Sequence, residues 1–156
     1  MRENRQLASP RDESGQSLIE TAFTASLLAL LLAAAVDFGL AFYKNIEVKG
    51  AARAGATYGA TDPGDTTGMQ NVAKGAAGDI ASDSNFSATA SWGCECYSGS
   101  APTIPGPDSC TAPSCGENVV DYVSVTVADQ YTPLIPWPGI PSTISMSSTV
   151  TMRAAQ

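Results

Sequence analysis

The amino-acid sequence predicts an α+β fold: a long N-terminal helix that crosses a membrane, packed on a small antiparallel sheet of about three strands, with a disulfide-rich loop. Three observations carry that expectation. A nearly unbroken apolar run extends from Leu18 to Tyr43, with no charged side chain over residues 21–36. Two later segments, VVDYVSVTVADQY (119–131) and STISMSSTVTM (142–152), alternate in polarity over much of their length, and the first is rich in β-formers. Four cysteines, Cys94, Cys96, Cys110 and Cys115, fall in a stretch crowded with Pro, Gly and Ser.

Taken in order, residues 1–15 (MRENRQLASPRDESG) are polar, mixed in charge and without apolar periodicity, and they read as a leader peptide. Residues 16–43 form the apolar helix. At a rise of ~1.5 Å per residue, Leu18–Tyr43 spans ~39 Å, more than a ~30 Å hydrocarbon core. A buried soluble helix would keep a polar face, and the central LLALLLAAAV has none. An ordinary cleaved secretory signal would have a shorter apolar run. Residues 44–156 make an extracytoplasmic head. Its first part, KNIEVKGAARAGATYGA, continues the helix over 44–60 until Asp62-Pro63-Gly64-Asp65 forms a turn. A second helix is expected over 66–81 and strands near 85–92, 119–131 and 142–152, the last with a slip at Ser147-Ser148 between Met146 and Val150.

Charge narrows the function. The chain of 156 residues has 15 acidic and 8 basic side chains, a net charge of −7, and no histidine. Phosphate binding relies on clustered Lys and Arg, so nucleic acid is not an expected partner. Without histidine there is no imidazole base, no Ser-His-Asp or Cys-His pair and no ordinary catalytic zinc site. No enzyme activity, cofactor or metal is expected. Asp62, Asp65, Asp79 and Asp83 lack calcium-loop spacing and read as solvated turn and helix-cap residues.

Two carboxylates interrupt the apolar segment, Glu20 near its start and Asp37 near its end. A carboxylate in hydrocarbon costs several kcal/mol unless paired or at an interface, which makes both candidate functional residues. Asp37 is expected at the far interface beside Tyr43 and Lys44. Glu20 stands fifth when Gln16 is counted as the first residue, and Gly15 precedes that count. GQSLIE resembles the cleavage site of type IV prepilins and their tight-adherence relatives. The wider stretch GQSLIETAFTASLLALLLAAAVDFGLAFYKNIEVKGAARAGATYGA is similar to the signature of TadE-like proteins, and the C-terminal strands with YTPLIPWPGIP are in keeping with it.

The resemblance implies a pilin-like fold and cleavage by a prepilin peptidase between Gly15 and Gln16. It further implies that Glu20 pairs with the α-amine of a neighbouring subunit, an arrangement in which each buried charge compensates the other. The implied partners are other pilin subunits, the prepilin peptidase, the pilus assembly platform and membrane lipid. The implied location is the cytoplasmic membrane, with a single pass, the head outside the cytoplasm, and a surface filament as a further destination. The residue after the glutamate is Thr21, where major pilins of this system usually carry an aromatic, and the chain is longer than those pilins. Both points favour a minor pilin or pseudopilin. The alternative is a permanently anchored extracytoplasmic binding or scaffold module.

Gly50, Ala51, Ala52 and Gly55 lie in a small-residue stretch that allows close backbone approach of a partner helix or of the protein's own head. The cysteines follow C-x-C-x13-C-x4-C, and an even number beyond a membrane helix suggests two disulfides. Bridges between the clusters are expected, either 94–115 with 96–110 or 94–110 with 96–115. A structural zinc site is the rival, disfavoured by the C-x-C spacing.

Overall fold

A computed structural model describes residues 14–96 and 119–154, with the side chains of residues 15–95 and 119–154. Residues 1–13, where most of the leader is expected, residues 97–118, which hold Cys110 and Cys115, and the side chain of Cys96 lie outside the described residues. The chain falls into two compact units, one ending at Phe38 and one beginning at Gly39.

Helix α1 runs over Ser14–Gly59. The part in the first unit, 14–38, is ~37 Å long at ~1.5 Å per residue. Its hydroxyl side chains turn back onto the backbone. Thr21 Oγ1 donates to the Ser17 carbonyl at 2.8 Å, Thr24 Oγ1 to those of Glu20 at 2.9 Å and Thr21 at 3.0 Å, and Ser26 Oγ to that of Ala22 at 2.8 Å. These three hydroxyls are satisfied within the helix, and most of the remaining surface is Leu, Ile, Phe and Ala.

In the second unit α1 ends as expected before Pro63. The carbonyls of Ala56 and Tyr58 receive the amides of Ala60, Thr61 and Asp62, which closes the last turn. Helix α2, Thr66–Ala76, is capped by Asp65, whose Oδ1 accepts from the Gly68 amide at 2.8 Å. The single helix expected over 66–81 is instead two elements, because Gly78 adopts φ +58° and a 3-10 turn follows at Gly78–Ser82. That left-handed conformation is open to glycine and interrupts the α-helical path.

Strands β1 (Ser87–Cys96), β2 (Val119–Tyr131) and β3 (Ile144–Arg153) form an antiparallel sheet in the order β1-β2-β3. β1 begins two residues later than expected and runs on through Cys94 and Cys96, so these two close a strand rather than sit in the loop. The β2–β3 register is continuous from Tyr122↔Arg153 to Tyr131↔Ile144. No slip occurs at Ser147-Ser148. Ser148 takes a place on the face that carries Ile144, Met146, Val150 and Met152, opposite Val127.

The core is small and built of α1, both shorter helical elements and the sheet. Val48, Ala51, Ala52 and Ala56 from α1 meet Met69 and Ala73 from α2, Ile80, and Val123, Val125 and Val127 from the central strand. Alanines and glycines on α1 let the sheet and α2 approach its backbone closely.

Candidate functional site

The first unit presents a helical surface that is apolar and uncovered. Leu18, Ile19 and Phe23 are each more than 70% exposed, and Leu27 to Leu32 contribute further exposed leucines. The helix is long and apolar enough to cross a membrane. Gly15, Gln16 and Glu20 all lie on its exposed first turns. The Glu20 carboxylate has no hydrogen bond or ion pair among the described residues, whereas the neighbouring hydroxyls are satisfied internally. Asp37 behaves differently: it is 3% exposed beside a 60% exposed Phe38, and it is engaged rather than free. Lys44, the cation expected near it, is committed elsewhere.

That commitment is the main polar feature of the second unit. Lys44 Nζ donates to Asp83 Oδ2 at 2.5 Å and lies 3.5 Å from Asp129 Oδ2, so one ammonium ties α1 to the residue after the 3-10 turn and to the central strand. The Asp129 side chain is fully buried, and its Oδ1 has no hydrogen-bond partner among the described residues. Burial pulls the Lys44 pKa down, but the hydrogen bond to Asp83 and the charge of Asp129 outweigh it and hold the group above its ordinary value. The sequence carried a signal for this. Asp129 has the same strand parity as Val123, Val125, Val127 and Tyr131, which places a carboxylate on the core face, where it requires a cation. Asp83, expected as a solvated cap, is the second arm of the cluster. Asp65 is the cap it was read to be and also accepts from the Tyr58 hydroxyl at 2.8 Å. The Gly68 amide and the Tyr58 hydroxyl together hold its carboxyl below the usual range.

The small-residue stretch divides by helix face. Ala51, Ala52, Gly55 and Ala56 are buried. A Cβ on Gly55 would lie 2.8 Å from the Met69 carbonyl oxygen, 3.0 Å from Ala73 Cβ and 3.1 Å from Val125 Cγ1. Gly50 does not pack on the protein's own head, since nothing lies within 4 Å of where its Cβ would be. It sits one residue, ~100° of helix rotation, outside the buried stripe that continues through Ala56 and Gly59. Gly59, close against Met69, belongs to that stripe and was not singled out from the sequence.

Cys94 is buried and disulfide-bonded rather than free. Its partner's side chain lies outside the described residues, so no complete bridge is described. Among the described residues no group of three His, Cys, Asp or Glu side chains is placed to hold a metal ion.

No curated protein and no solved structure matches the chain. A family model does: residues 15–57, which hold the glycine before the helix, both carboxylates of the apolar segment and most of the buried small-residue stripe, are similar to the model described as TadE-like protein.

Proposed function

We propose that the chain is a minor pilin or pseudopilin that takes part in assembling a tight-adherence pilus or a related secretion filament, and that it has no enzymatic role. The observation that carries this reading is the TadE-like segment itself, an exposed apolar helix whose Glu20 has no partner among the described residues. A prepilin peptidase cuts between Gly15 and Gln16. The helix over 16–43 holds the subunit in the cytoplasmic membrane with the head outside the cytoplasm, and on assembly Glu20 receives the new α-amine of a neighbouring subunit. An apolar bundle tolerates the two charges only as a pair, so the pairing also sets the axial register. The assembly platform and other pilin subunits are the partners.

In the head, two disulfides between the pairs Cys94/Cys96 and Cys110/Cys115 would each contribute ~2–4 kcal/mol to a domain with a small core. The buried, bonded state of Cys94 supports this. Intact-mass measurement of the protein from membranes and from sheared surface material tests the central claim. A mature terminus at Gln16 is expected; an uncut Met1 terminus, or a cut far beyond Ala33, refutes it. Glu20→Leu should abolish assembly, whereas a plain tether would tolerate leucine.

A further inference from the structure

We propose that the outer edge of β3 is where a second copy of this chain joins the sheet, the two β3 strands running antiparallel about Thr149. This goes beyond the function above, because it concerns the head and requires neither cleavage at Gly15 nor pairing at Glu20. β3 is a terminal strand of the sheet, with no strand beyond it among the described residues. The direction of its backbone groups follows from one hydrogen bond. The Ala154 amide donates to the Asp121 carbonyl at 2.8 Å, in register with the ladder. Antiparallel pairs alternate, so Met146, Ser148, Val150 and Met152 spend their backbone groups on β2. Those of Ser145, Ser147, Thr149, Thr151 and Arg153 point outward.

Folded proteins ordinarily block such an edge with lysine, proline, a bulge or a short strand. β3 has none of these from Ile144 to Met152, and its 10 residues exceed the usual ~5–6. A second copy is the occupant that the strand itself fits. About Thr149, Ser147 meets Thr151 of the partner subunit and Ser145 meets Arg153 of the partner subunit, while on the other face Met146 meets Met152 of the partner subunit. No acid faces an acid, although each chain carries a net charge of −7. The outer face of the sheet is likewise uncharged around this line, with Thr126 and Thr149 joined through their hydroxyls at 2.8 Å and Thr151 bonded to Ser124. Two-fold pairing of this kind closes on itself and forms about ten backbone hydrogen bonds.

The test uses the full-length protein in its membranes. In the paired strands the two Thr149 Cα atoms lie ~5.5 Å apart, within disulfide reach, while the two Ser145 Cα atoms are ~27 Å apart. On mild oxidation Thr149→Cys should give a disulfide-linked product of twice the chain mass, and Ser145→Cys should not. Glu20→Leu should leave that cross-link unchanged, which separates this proposal from the assembly reading. Thr149→Pro removes only an outward N–H and spares the β2 ladder, so it should abolish the dimer seen in mild detergent while the melting transition persists. Equal cross-linking at both positions, a product of another mass, or a dimer that survives Thr149→Pro overturns the proposal.

Discussion

Gly55→Ala is the sharpest test of how the head is built. The added methyl would meet the Met69 carbonyl oxygen at 2.8 Å, and a helical backbone carbonyl cannot swing away as a flexible side chain can. Ala73 and Val125 stand on the other sides at 3.0 and 3.1 Å, so α1 would have to move away from α2 and β2 together. Overpacking of this kind costs ~1–3 kcal/mol, and the rigid contact puts Gly55 in the upper half of that range. Alanine recovers ~1 kcal/mol of helix propensity, which leaves a net loss of ~1–2 kcal/mol. For a unit of just over a hundred residues this lowers Tm by ~4–8 °C. Gly50→Ala supplies the internal comparison. It has the same chemistry on the same helix with open space around it, so it gains ~0.5–1 kcal/mol and raises Tm by ~2–4 °C. Thermal unfolding of both full-length variants in detergent, followed by near-ultraviolet circular dichroism, checks the pair. Equal shifts, or a Gly55→Ala protein as stable as the parent, would refute the reasoning.

The remaining predictions concern the polar groups of the head. Lys44→Met leaves the fully buried Asp129 without its cation and should cost ~3 kcal/mol, whereas Lys44→Met combined with Asp129→Leu should recover most of the loss, both read from thermal melts. Because the Lys44 pKa is raised above its ordinary 10.5, its stabilisation is complete below that value and disappears as pH rises through the raised one. The parent protein should therefore lose Tm in alkali that Lys44→Met has already lost. Asp65 is held below its ordinary 3.8, so its contribution is present above that value and fades as pH falls through the lowered one. Asp65→Ala should melt below the parent at neutral pH, and the two curves should converge in strong acid.

Much of this architecture was legible in the sequence, for different reasons at different places. The long helix announced itself because sixteen consecutive positions without a charge, residues 21–36, leave no polar face to hide. β2 was legible because its second half alternates cleanly. The second helix was misjudged at Gly78, since periodicity over 69–80 is equally compatible with one helix or with a helix and a 3-10 turn, and only the left-handed backbone distinguishes them. Ser148 concealed the regularity of β3, because a serine at a core-facing position looks like a change of register when polarity is the only guide. Gly50 and Gly55 are indistinguishable as letters; their helix faces differ, and the faces depend on where the sheet lies. The Lys44 cluster needed three segments 39 and 85 residues apart, and only the parity of Asp129 hinted at it.

The hydroxyls of Thr21, Thr24 and Ser26 have a consequence for how the apolar helix can change surroundings. Each is already bonded to a carbonyl within the same helix, so under the proposed assembly a transfer of the segment from lipid chains to the flanks of other helices would leave these bonds as they are. The leucines and alanines exchange one hydrocarbon contact for another of similar quality. The difference in free energy between the two locations is then concentrated at Glu20, and a long greasy rod acquires a single point at which its preference is decided.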